Sequence, residues 1–272
     1  QLRGLEGVDF RFPLVGADRS PLDFYSDSAG RLVYMPVLSL RFVEDLSTAY
    51  AWLWANRYSL ATVDTYVAML KYQKTGPSGR TFPPPLVALQ IPADALRNPA
   101  VADLSLRFRN EAFAFVLAHE LGHVLYRHQG YGPRVGRAQS RRNEEAADRF
   151  ALEIMRLTST IPVGALLYFQ ASAYYQPNRG DFASDLEWET FLEREATHPV
   201  TGARLRALAS LIRDSADDLV RLERNRAGGI QIVQGIASRI VAIAATLEDT
   251  ELQRYVAWKA SKDRLESLHP RR

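Results

Sequence analysis

The string Leu117-Ala118-His119-Glu120-Leu121-Gly122-His123-Val124 holds the residues whose types and spacing could do chemistry. Histidines four apart on a helix share a face, so both imidazoles can reach one metal ion. A glutamate beside the first histidine can then take a proton from a water that the metal activates. The pattern reads as two ligands and a general base of a zinc hydrolytic centre. The competing reading is a core helix whose histidines only hydrogen-bond. The chain has five histidines in 272 residues, and chance would write H-E-x-x-H in well under about 1% of such chains.

A catalytic zinc keeps three protein ligands and one open position. Beyond His123, residues 129–142 are rich in glycine and arginine with no apolar period, which predicts a loop. A helix is predicted to open at Asn143 as N-cap and to carry Glu144, Glu145 and Asp148. Glu144 and Asp148 share a face, so one can bind the metal while the other holds the free N–H of a ligand histidine. Glu144 is the preferred ligand. Glu145 competes from about 100° around the helix, and an acidic first turn is also what the helix dipole favours with no metal at all.

H-E-x-x-H followed by E-x-x-x-D resembles the gluzincin metallopeptidases. The wider string resembles the HtpX and CAAX-prenyl-protease group and their soluble periplasmic relatives. It does so through Asn110-Glu111, Val116 to Val124, His128, Glu144 to Arg149, and Thr197-His198-Pro199 with Arg204. The resemblance implies a zincin-like, zinc-dependent endopeptidase with Zn2+ on His119, His123 and Glu144 and a general base at Glu120. It also implies that His198 lies near the metal, where it could steady an oxyanion. The stretch between His123 and Glu144 is short, closer to thermolysin-like spacing, and lacks the hydrophobic spans of the membrane members. The substrate of those members therefore does not carry over.

Pro199 turns His198 away from helical geometry, and leucines at 205, 208 and 211 predict a helix beyond it. His198 then stands at a helix entrance that can overhang a cleft, with a plain surface histidine as the alternative. Arg204 is expected to brace this segment through carboxylates rather than to touch substrate. His128, five residues past His123, falls on another helical face and is not expected to be a ligand.

These groups need elements to position them. Apolar residues at 113, 116, 117, 121, 124 and 125 predict a helix over Asn110–Tyr126, where small Ala118 and Gly122 allow close approach. Leu40–Asn56 and Ser59–Lys74 read as helices, the second with Ser59 as N-cap. Val8–Phe12 and Leu32–Met35 read as short strands. Residues 86–91, bracketed by prolines, read as an edge strand that could accept an extended substrate, or as a core strand. Trp52, Trp54, Tyr58, Tyr66 and Tyr72 read as packing. Residues 228–247 form an amphipathic pattern with Gln231, Gln234 and Arg239 on one side, suited to packing on the body or a partner, with peripheral membrane contact the lesser option. The expected fold is α+β and mainly helical: a zincin-like core with a small sheet and the H-E-x-x-H helix. One metallopeptidase domain is expected over 1–272, with its core at 80–212 and a helical extension at 213–272.

A net charge of +3 is modest, and the arginines of 127–142 and the C-terminus lack the interleaved aromatics of a nucleic-acid surface. No uninterrupted apolar run is long enough for a transmembrane helix. The absence of cysteine excludes disulfides and fits any compartment. A chain starting at Gln1 suggests that an upstream segment was removed, by signal cleavage or by trimming. With the resemblance, this points to the bacterial periplasm or envelope, with cytoplasm as the alternative. The expected partner is a protein or peptide substrate. Two rival functions stand beside the peptidase: a zinc-binding envelope chaperone or assembly factor, and a hydrolase of non-peptide amides.

Overall fold

Three short strands open the fold: β1 (Asp9–Arg11), β2 (Tyr25–Asp27) and β3 (Leu32–Tyr34). The computed structural model describes residues 2–18, 20–73, 82–129, 136–194 and 198–268. Lys74, Thr81, residues 130–135 of the expected 129–142 loop, Thr197 and the terminal Pro270-Arg271-Arg272 lie outside the described residues. β3 is central, parallel to β1 and antiparallel to β2, with Phe10 and Ser26 both opposite Val33. Val33 is fully buried whereas β1 is exposed, so β3 anchors the sheet on the core. β1 and β3 lie within the predicted strands. β2 was not expected, because Tyr-Ser-Asp is too short to show an alternation.

Helices α1 (Val37–Ala55) and α2 (Ala61–Tyr72) follow the predicted spans. Ser59 is not the N-cap of α2, however: Leu60 holds that place without a side-chain bond, and Ser59 offers only its carbonyl to the Thr62 N–H. Residues 86–91 are not a strand. Pro85 starts a short helix, α3 (Pro85–Ala88), because proline at the first helical position has φ already set and no N–H to lose. The prolines taken as strand ends therefore begin a helical turn, and no substrate edge lies there.

α4 (Pro99–Leu125) contains the H-E-x-x-H string and starts well before Asn110, with Asn98 accepting the Ala100 N–H as its cap. α5 (Arg137–Leu157) also starts early, so Asn143 is a buried interior residue accepting from Gln139 Nε2 rather than an N-cap. Arginine and glutamine are good helix formers, and the chain turns helical just after Gly136. The remaining helices are α6 (Val163–Tyr175), α7 (Asp185–Arg194), α8 (Gly202–Asp214), α9 (Ala216–Leu219), α10 (Arg226–Glu248) and α11 (Thr250–Lys262).

Two apolar clusters meet at α4. One gathers Val33, Leu53, Tyr66 and Met69 with Val116 and Val124. The other gathers Leu152, Met155, Phe169, Leu205 and Ile240 with Phe115 and Ala118. From Phe115 to Val124 every residue of α4 is buried or half-buried, so the site it carries is packed between the two clusters. Gly122 sits where α4 meets α5, and a Cβ there would lie 3.1 Å from the Ala147 Cα. That close approach brings the turns that carry His119, His123 and Glu144 together, as the small residues suggested.

By length and composition α10 could cross a membrane. It packs Val233, Ile236 and Ile240 into the second cluster and leaves Gln231, Gln234 and Arg239 outside, the amphipathic arrangement expected of it.

Candidate metal centre

α4 supplies His119, Glu120 and His123, α5 supplies Glu144 and Asp148, and the turn before α8 supplies His198. All but His198 are buried. His119 Nε2 and His123 Nε2 are 3.1 Å apart. Glu144 Oε2 lies 3.4 Å from His119 Nε2, and its Oε1 lies 3.3 Å from His123 Nε2. Donors bonded at about 2.0 Å to one tetrahedral ion stand about 3.3 Å apart. The three atoms thus form one face of such a tetrahedron. Among the described residues, the ligand atoms of His119, His123, Glu144 and His198 all lie within 4.8 Å of one another.

Glu145 turns away, 3.8 Å from Arg141, and takes no part in this cluster. Asp148 Oδ1 lies 2.9 Å from His119 Nδ1, close though imperfectly aligned. Buried Arg204 reaches Asp148 through Nε and Nη2, both at 2.7 Å, and Glu144 Oε2 through Nη1 at 2.7 Å. It braces two carboxylates, as expected. His198 Nδ1 is 3.1 Å from Glu144 Oε1, and its Nε2 is 4.0 Å from Glu120 Oε1.

Two contacts escaped the sequence reading. Ser26 Oγ donates to Glu120 Oε2 at 2.8 Å, and a lone serine in an unpredicted strand gives no signal of that. His128 returns to the site: its Nδ1 is 2.9 Å from His123 Nδ1. Arg127 has φ of 53° and ends α4, and the His128 N–H bonds the His123 carbonyl. This left-handed closure folds His128 back, where an extended helix would have carried it away. Ser28 Oγ donates to the same carbonyl at 3.0 Å.

Glu120, Glu144 and Asp148 oppose a single guanidinium, Arg204, leaving two negative charges in excess. Buried charge needs compensation, and a divalent cation on the three-atom face supplies two positive charges. The titrations agree in direction. Burial disfavours a charged His119, yet Asp148 and Glu144 outweigh it and push its pKa up to about 10. Burial likewise opposes charge on His198, but Glu144 and Glu120 raise it. Burial would raise Glu144, but Arg204 and His198 hold it well below its usual value. His123 is lowered by burial and by the charge of His119, and His128 falls to about 4 through burial and His123. The donor set therefore suits a metal, with protons holding its place otherwise.

Residues 98–161 match the family model of Peptidase U49. The matched stretch holds His119, Glu120, His123, Glu144 and Asp148; His198 and Arg204 lie beyond it. The similarity points to a peptidase acting on protein or peptide substrates. No curated protein and no solved structure matches the chain.

Proposed function

We propose that this chain is a zinc-dependent endopeptidase of gluzincin type, built as one metallopeptidase domain. The observation that carries the reading is the convergence of His119, His123 and Glu144 at tetrahedral spacing with Glu120 beside them. His119, His123 and Glu144 would hold the zinc. When bound, the zinc polarises a peptide carbonyl and makes water acidic enough to ionise near neutral pH.

The chain's own residues do the rest. Glu120 takes the proton of the attacking water and passes it to the leaving amine. Ser26 fixes Oε2, which leaves Oε1 for this transfer. His198 presents Nε2 on the same side as Glu120 and offers positive charge to the developing oxyanion. Asp148 orients the His119 ring, and Arg204 locks Asp148 and Glu144 in place. β2 has a neighbour on one side only among the described residues. Its open edge, one hydrogen bond from Glu120, replaces residues 86–91 as the place where an extended peptide adds. The resemblance to periplasmic peptidases supports a location in the bacterial envelope.

The test is Glu120→Gln. The variant is expected to bind one zinc per chain and to lose chelator-sensitive cleavage of a denatured protein. Unchanged turnover would end this mechanism. A wild-type protein that binds zinc and cleaves nothing would favour the chaperone reading.

A further inference from the structure

A second cavity, about 330 Å³, opens beside His198. Tyr168, Gln176 and His198 line both it and the small space against His119 and Glu120, so the two are neighbours. A side chain next to a scissile bond held at Glu120 has this cavity within reach. Its walls are aromatic: Phe24 and Tyr168 on one side, and Trp188 and Phe191 on the other, the last two stacked at 5.7 Å. Asp18 and Asp23 also line it. Asp23 is buried, and its Oδ2 accepts the Asp18 N–H at 2.8 Å, which fixes the carboxylate in place. Among the described residues no lysine or arginine lines the cavity, and His198 is its one basic group, at the inner end.

We propose that this cavity is the specificity pocket of the peptidase and selects a basic side chain, arginine above lysine, beside the scissile bond. The assignment rests on the peptidase reading. Aromatic faces take the aliphatic stem and stack on a guanidinium. The fixed carboxylate accepts its N–H groups, a contact stronger than a neutral hydrogen bond. Burial raises the pKa of Asp23, and a cation beside it offsets that desolvation. An aliphatic or aromatic substrate side chain would fill the walls but leave the charge of this buried carboxylate without a cation, which is unfavourable.

The test uses zinc-loaded Glu120→Gln protein and two peptides, acetyl-Ala-Ala-Arg-Ala-Ala-amide and its citrulline twin, which keeps the shape and removes the charge. By calorimetric titration the arginine peptide is expected to bind at least about tenfold tighter, the scale of a charge-assisted contact. Adding Asp23→Asn, which keeps an acceptor for the Asp18 N–H, is expected to bring the two affinities within about twofold. Exposed Asp18→Asn serves as a second variant should Asp23→Asn not fold, and is expected to reduce the preference in part. Equal affinities for the two peptides, no binding of either, or a preference that survives Asp23→Asn would each overturn the assignment. Cleavage of the same peptides by wild type separates the two claims. A binding preference without chelator-sensitive cleavage sinks the peptidase reading alone. Cleavage without a charge preference sinks the pocket alone.

Discussion

Arg204→Met is the sharpest test of how the site is held together. Methionine keeps much of the apolar stem and removes the guanidinium, whose Cζ lies 5.4 Å from the centre of the Phe169 ring. Arg204 is 4% exposed, and it is the guanidinium that both Glu144 and Asp148 contact. Removing one partner of a buried ion pair costs about 3–5 kcal/mol, because the other partner stays buried and uncompensated. For a chain of this length each kcal/mol moves Tm by about 2 °C, so the metal-free variant should melt about 6–10 °C below wild type. Zinc places positive charge against Glu144, so the deficit should be smaller in zinc than in chelator. The assay is thermal unfolding of both proteins under both conditions. A Tm within about 2 °C of wild type in chelator would refute the argument. The triple variant Glu144→Gln/Asp148→Asn/Arg204→Met removes charge from all three groups and should recover most of the loss. If it melts as low as the single variant, packing rather than charge is what Arg204 provides.

Ser26→Ala frees Glu120 Oε2 and should lower kcat about tenfold, the worth of one hydrogen bond to a charged group, with zinc stoichiometry unchanged; an unaltered kcat removes Ser26 from the site. Gly122→Ala puts a methyl 3.1 Å from the Ala147 Cα, so α4 and α5 must separate slightly and zinc affinity should fall about tenfold against a competing chelator dye. Affinity equal to wild type would mean that the spacing of these helices does not set ligand geometry. Asp64 is buried, bonded to Gln170 and Tyr50, and pushed by burial to a pKa of about 6. Its folded value lies above its unfolded one, so the native state binds more protons between about pH 4 and pH 6 and loses stability as pH rises through that window. Asp64→Asn should therefore be more stable than wild type by up to about 3 kcal/mol at pH 7.5 and equal to it below pH 4. Denaturant unfolding at the two pH values checks this, and a difference independent of pH would contradict it.

Much of the site could be read from local spacing alone. H-E-x-x-H places three groups on one helical turn whatever surrounds it, because helix geometry fixes which residues share a face. The same periodicity put Glu144 and Asp148 together, and it brought out α1, α2 and the packing face of α10. It failed where a rule depended on context. The prolines near residue 85 suit a strand end or a helix start, and packing chose the helix. The arginine-rich run before Asn143 looked like a loop and is helix, because its charged face is free to meet solvent while Ser140, Asn143 and Glu144 are buried. Spacing along one helix favoured Glu144 through the face it shares with Asp148 but left Glu145 open, since which of the two turns inward depends on where α4 lies. The backbone contact at Gly122 turns Glu144 inward and leaves Glu145 to Arg141.

The sequence by itself determined the donor types, their helical registry and the glutamate set beside the first histidine, because these follow from side-chain chemistry and from contacts a few residues apart. Tertiary structure decided which groups meet across long chain separations: Ser26 on Glu120, which two carboxylates Arg204 braces, His198 against Glu144, and the aromatic cavity between residue 18 and residue 199. No local pattern encodes such meetings. They follow from two apolar clusters closing on α4, which gather the buried charges around one point where they must compensate one another.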